Sequence, residues 1–253
     1  MTQLNSRNKF KDDYSGKTSG EHSILTGRHK LVYDIFSKKK SDSHLDIGCG
    51  DGNFTKLIGS VCGVKKLCGI ETSDSGLKSS AANNVQAVSL KVDEEKFPFP
   101  DNCFDSIYAG AIIEHLFNTD FFFEQTYRVL KPGGLFVVDT PNLASIYNRI
   151  SLLFGFQPFD THISLKYPIG HITESSYRTE SELIPGSDHI RPFTFKGLKL
   201  LLLKNNFKII KFYGINDVVN INNYFIRTIL NSADFCLKPF PSLNRIALFA
   251  VTK

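Results

Sequence analysis

The chain has 253 residues, 42% of them hydrophobic and 22% charged, which supplies the core of one large α/β domain and argues against disorder. A net charge of +5 is mild and spread over many sites, so it does not by itself argue for a nucleic-acid partner. Five cysteines, Cys49, Cys62, Cys68, Cys103 and Cys236, form no C-x-x-C pair, so neither a zinc site nor a disulfide framework is implied, and reduced cytoplasmic thiols are the plain reading.

Residues 1–20 are polar, with few apolar anchors and no apolar h-region. A flexible N-terminus is expected there, not a secretory signal. No uninterrupted apolar run approaches membrane-spanning length, so integral membrane association is not expected and a cytoplasmic location is. From Glu21 onward, Ile24, Leu25, Leu31, Val32, Ile35 and Phe36 recur at helical intervals. They predict a helix across the domain edge that ends in the solvated run Lys38-Lys39-Lys40, where cations suit the helix dipole.

The stretch His44-Leu45-Asp46-Ile47-Gly48-Cys49-Gly50-Asp51-Gly52 organises the rest of the chain. It reads as a short apolar strand running into a glycine-rich turn, and Asn53 to Ile58 opens a helix. Glycine lets a backbone turn sharply and approach a ligand, and the helix directs its free N–H groups at whatever sits on the turn. Strand, turn and helix make the first half of a nucleotide-binding α/β unit. A dinucleotide fingerprint needs G-x-G-x-x-G, whereas Gly48, Gly50 and Gly52 give G-x-G-x-G with Asn at 53. Asp46 is awkward beside a diphosphate and suits a ligand with positive charge.

Lys66 to Ile70 reads as a second strand ending at Glu71, about 20 residues past the turn, where an acidic residue meets ribose hydroxyls. The bland alternative is a surface glutamate at a strand end. Val85 to Val92 has a third strand pattern and leads into the acidic loop Asp93 to Asp101, with Pro98-Phe99-Pro100 inside it. Phe104 to Ala109 is a fourth strand, followed by A-G-A-I-I-E-H through His115. A helix from about Asn118 to Leu130 stops at Lys131-Pro132-Gly133-Gly134, and Leu135 to Asp139 is the fifth strand.

These segments, in this order, resemble class I S-adenosylmethionine-dependent methyltransferases of the type 11, ubiquinone-biosynthesis-like group. The resemblance rests on D-x-G-x-G-x-G at Asp46 to Gly52, D-x-x-x-F-P-F at Asp93 to Phe99, the E-H pair at Glu114-His115 and L-K-P-G-G before the fifth strand. It covers residues 43–140 strongly. It implies a Rossmann-like, seven-stranded, mostly parallel sheet with helices on both faces, the last strand antiparallel, and a cap insertion. It implies that Gly48, Cys49, Gly50 and Gly52 hold the amino-acid end of S-adenosylmethionine, with product S-adenosylhomocysteine. Asp93 and the backbone N–H of Glu94 would meet adenine, and backbone at Ala109 would meet the cofactor. His115 becomes a candidate general base, with a structural histidine as the alternative.

Residues 141–192 carry Leu143 to Phe154, which looks helical, then a long aperiodic stretch with His162, His171, His189 and many aromatics. Loops this long in compact domains are usually functional, so the segment is expected to cap the acceptor pocket, with His171 and His189 as further base candidates. The histidines lack metal-ligand spacing and no metal is expected. Thr194 is a plausible N-cap for the next helix, and Lys208 to Tyr213 is a sixth strand. Residues 216–242 form an insertion in which Tyr224, Phe225, Ile229, Leu230, Ala233 and Leu237 could share one apolar helix face. It would serve as core, lid or, less readily, a homodimer or membrane-surface contact. Ile246 to Val251 closes the sheet. Residues 21–253 are thus expected to form one methyltransferase domain acting on a small-molecule acceptor, through oxygen on a sugar-linked, quinone-like or phenolic substrate. The alternatives are an RNA or protein methyltransferase, for which no basic stripe or recognition domain is evident, and a non-catalytic S-adenosylmethionine-binding module.

Overall fold

Strands that are apolar on both faces must sit in a sheet covered on both sides. The computed structural model, which describes residues 27–164, 167, 169–171, 189–216, 237 and 239–253, shows such a sheet. In chain order the elements are α1 (Gly27–Phe36), β1 (Ser43–Ile47), α2 (Asn53–Cys62), β2 (Lys66–Ile70), α3 (Asp74–Ala82), β3 (Gln86–Val88) and β4 (Phe104–Gly110). A single 3₁₀ turn, Ile113–His115, precedes α4 (Thr119–Val129) and β5 (Leu130–Pro141). Then come α5 (Ile146–Leu153), α6 (Phe195–Lys204), β6 (Lys208–Ile215), a 3₁₀ turn at Pro241–Leu243 and β7 (Ile246–Thr252). The strand order is β3-β2-β1-β4-β5-β7-β6. β1 to β5 pair in parallel, and β7 runs antiparallel to both β5 and β6.

Alternation along the strands divides the core in two. Ile107, Phe136, Val138 and Phe249 pack with Phe122 and Phe123 of α4 and Leu198 and Leu202 of α6. Their neighbours Tyr108, Val137 and Leu248 face Val32 and Phe36 of α1 and Ile58 and Cys62 of α2. The abundant phenylalanine is used on the first face, where Phe122, Phe123, Phe136 and Phe207 meet with ring centroids 5.2 to 6.4 Å apart. Side-chain caps begin four helices, with Ser73, Asn118, Ser145 and Thr194 each accepting from a backbone N–H in the first turn. Each such cap contributes about 1 kcal/mol.

Several boundaries differ from the pattern. The third strand is Gln86–Val88 only, because it forms the sheet edge; Leu90 and Val92 are apolar for burial under the following loop, not for pairing. β5 starts at Leu130, which pairs with Phe104; Lys131 to Gly134 then bulge out before Leu135 pairs with Ser106, and Gly133 turns there at φ +72°. The glycines expected to end an element thus lie within one. The predicted helix from Glu21 is described only from Gly27, and residues 1–20 lie outside the described residues. So does most of 216–242, including Tyr224, Phe225, Ile229, Leu230 and Ala233. Among the described residues no helix is long and apolar enough to cross a membrane.

Candidate active site

Strand order reverses between β1 and β4, and open α/β sheets hold ligands beyond the carboxyl ends of strands at such a point. The glycine turn leaves β1 there. Gly48, Gly50 and Gly52 all lie in the left-handed region, at φ +80°, +54° and +77°. Gly48 N–H and Cys49 N–H both donate to Ile70 O of β2, at 2.8 and 3.2 Å, which ties the turn to the neighbouring strand. A Cβ on Gly52 would lie 3.0 Å from Ser80 Cα, and one on Gly48 would lie 2.3 Å from Ile112 Cδ1. A Cβ on Gly50 would meet nothing within 4 Å, so the middle of the turn faces open space where a ligand can approach.

Glu71 closes on this turn. Its Oε2 accepts from Gly50 N–H at 2.9 Å, and its Oε1 accepts from Thr72 N–H at 2.8 Å and Ser73 N–H at 2.7 Å. The carboxylate is half-buried and fixed, and the remaining lone pair on Oε2 can take a sugar hydroxyl. It is therefore not the free surface glutamate of the bland alternative. Asp46 is 4% exposed, and Oδ2 accepts from Thr55 Oγ1 at 2.6 Å. Burial pushes its carboxyl up to about 7, against the Thr55 hydrogen bond and helped by the charges of Glu71 and Asp139. A cation arriving beside such a group is strongly favoured over an anion.

Beside Asp46 lies a network that local sequence pattern could not reveal, because its members are up to 111 residues apart. Asp139 of β5 is fully buried; it accepts from Tyr108 OH at 2.9 Å and from Arg28 Nη1 of α1 at 3.1 Å. Burial raises the Asp139 carboxyl while Arg28 opposes the rise, and burial followed by the Asp139 charge holds the Tyr108 hydroxyl well above its ordinary value. Ala109, next in β4, is fully buried between Ile47 and Val138.

The acidic loop joins the same edge. Asp93 Oδ2 accepts from Phe117 N–H at 2.8 Å, linking the loop to the turn after β4. The Glu94 side chain pairs with Lys91 in the open, and its backbone N–H donates to Lys91 O at 3.1 Å. That N–H would have to release Lys91 to serve a ring nitrogen.

The expected E-H pair lies in the 3₁₀ turn, ahead of α4, and does not open the helix itself. Glu114 is 1% exposed; its Oε2 accepts from Thr140 Oγ1 at 2.9 Å, and burial pushes its carboxyl up to about 7. The turn receives the far end of the 141–192 segment. Arg191 N–H donates to Glu114 O, and the Arg191 guanidinium donates to Phe117 O at 2.7 and 2.9 Å. His189 and His115 rings meet edge to face at 5.0 Å. His171 is buried, with its ring stacked on Phe159 and edge-on to His162. Of the three histidine candidates, His115 and His189 are in ring contact. At the base of the segment Asn142 accepts from Ala144 N–H and Phe195 N–H and donates to Ser242 O and Asn244 O, so one side chain fixes where the segment leaves and returns. Neither Glu114 as a buried acid nor Asn142 stands out in the sequence; an acid preceded by Ile112 and Ile113, and an asparagine at a strand end, are the available signals.

The seven-stranded, mostly parallel sheet with its seventh strand reversed is the fold that the resemblance to class I S-adenosylmethionine-dependent methyltransferases implies. Residues 45–138 match the family model described as methyltransferase domain. The chain is similar to the mitochondrial ubiquinone biosynthesis O-methyltransferase of Mus musculus, with 27% identity covering 62% of this chain and 48% of the relative. It is also similar to the ubiquinone/menaquinone biosynthesis C-methyltransferase of Ectopseudomonas mendocina, with 33% identity covering 52% and 57%. The chain spans about half the length of the curated relatives it matches. Among solved structures, a SAM-dependent methyltransferase of Thermotoga maritima shares the fold at TM-score 0.57 and 15% identity over 99% of each chain.

Proposed function

We propose that the chain binds S-adenosylmethionine at the glycine turn and transfers its methyl group to a small-molecule acceptor under the 141–192 segment. The observation that carries this reading is Glu71, bonded to Gly50 at the switch point of the sheet with the buried Asp46 nearby. The open face of Gly50 and an acid held near neutrality fit a ligand whose amino-acid end bears an ammonium. Asp46, Gly48, Cys49, Gly50 and Gly52 would surround that end, Glu71 the ribose, and Asp93, Glu94 and Ala109 the adenine side. When bound, the cofactor supplies an electrophilic sulfonium methyl.

The chain's own residues then orient and shield. The segment that returns to the 3₁₀ turn at Arg191 would exclude water, which competes as a nucleophile and weakens electrostatics in an open site. His115 and His189 sit together where a proton could be taken from an acceptor hydroxyl, and His171 is the third candidate. Relatives named for ubiquinone O- and C-methyl transfer support a quinone-like or phenolic acceptor, with a sugar-linked hydroxyl as the related case. The test is label transfer from methyl-labelled S-adenosylmethionine to panels of hydroquinones, phenols and glycosides, beside tRNA and protein. Label should enter a small molecule, and His115→Ala or His189→Ala should slow turnover by roughly 10²–10⁴-fold while cofactor affinity holds. Label entering only RNA or protein would overturn the acceptor class.

A further inference from the structure

Beyond methyl transfer, and independent of it, we infer that Glu114, His115 and His189 form a binding site for a divalent first-row transition metal ion. One ligand atom from each of the three side chains lies within 4.8 Å of the others. The set joins residues far apart in the chain, which is why histidine spacing in the sequence shows nothing of it.

Two further observations point to a cation. Glu114 is 1% exposed, yet its Oε1 has no hydrogen-bond partner, although Oε2 is held by Thr140. A buried carboxylate oxygen without a partner is costly and calls for a counter-charge or donor. His189 supplies the second. Its Nδ1 lies 2.8 Å from Asp160 O, a carbonyl that can only accept, so Nδ1 carries the hydrogen and Nε2 keeps the lone pair a metal takes. Metal-bound histidines commonly donate their other ring N–H to a backbone carbonyl in this way, and ligating carboxylates are themselves hydrogen-bonded, as Glu114 is by Thr140.

One carboxylate and two imidazoles suit zinc and its neighbours, and three protein ligands leave a coordination position open. Metal bonds of about 2.0–2.2 Å place ligand atoms roughly 3.3 Å apart, so the side chains close by at most roughly 1.5 Å on binding. His115 and His189 are half-buried, so neither ring is fully enclosed.

The experiment uses the full chain, tag-free and stripped with chelator, titrated with cobalt(II) and followed by its visible absorption, with zinc(II) as competitor. One equivalent should bind with the intense bands of a four- or five-coordinate ion, and zinc should displace it. His115→Ala, His189→Ala and Glu114→Gln should each weaken binding at least about 10–100-fold. His162→Ala should leave it unchanged. Melting curves identify any variant that fails to fold, and the two histidine variants are made separately so that either one decides. No cobalt spectrum, or equal affinity in the folded histidine variants and the wild type, overturns the site whether or not methyl transfer is found.

Discussion

Asp46 illustrates how burial sets the chemistry of a single side chain. Its carboxyl is raised from 3.8 to about 7, so between those values the folded chain holds a proton the unfolded chain has lost. The stability this group contributes is fully present below about 3.8 and is lost as pH rises through about 7. Binding an ammonium reverses the preference and expels that proton. Affinity for S-adenosylmethionine should therefore rise by up to about tenfold per pH unit from about pH 5 to about 7 and level off above, as read by calorimetry. Asp46→Asn should flatten the profile; a flat wild-type profile would remove Asp46 from the cofactor's charged end. Glu71 carries two duties. Glu71→Ala should weaken cofactor binding by about 1–3 kcal/mol and, because three backbone N–H groups lose their acceptor, also lower unfolding stability by about 1–2 kcal/mol. Unchanged affinity with unchanged melting would contradict the assignment. Both residues are legible in the sequence because their meaning depends on short spacings from the glycines. Arg28, Tyr108 and Asp139 are not, since only the sheet brings them together.

At the scale of elements the glycine turn makes a sharper comparison than any single acid. Gly52 is wedged against the backbone of Ser80, whereas Gly50 faces open space. Gly52→Ala should cost about 2 kcal/mol in urea unfolding, from the left-handed conformation and the clash together. Gly50→Ala should cost about 1 kcal/mol in stability and act mainly on cofactor affinity, because its new methyl fills the ligand side. Equal effects of the two substitutions on folding and binding would contradict this division. Element type is readable from periodicity at the strands and at most of the helices, but extents are not. Apolar residues at Leu90 and Val92 serve burial under a loop, and strand pairing carries β5 back past two glycines. Glu114 in its 3₁₀ turn accepts from Arg191 N–H at the end of the 141–192 segment, a contact no local pattern encodes.

For the whole molecule, alternation of strands and helices points to a parallel α/β sheet, while its seven strands and reversed last strand are implied by the family resemblance and match the observed order. The meeting of His115 with His189, and that of His171 with His162, come only with the folded chain. The central claim is that this sheet presents a site for an adenosyl ligand with a charged amino-acid end, and not for a dinucleotide. Calorimetry of the intact chain with S-adenosylmethionine, S-adenosylhomocysteine and NAD tests it most directly. Both adenosyl ligands should bind one per chain and NAD should bind more weakly than either; tighter binding of NAD would contradict the account.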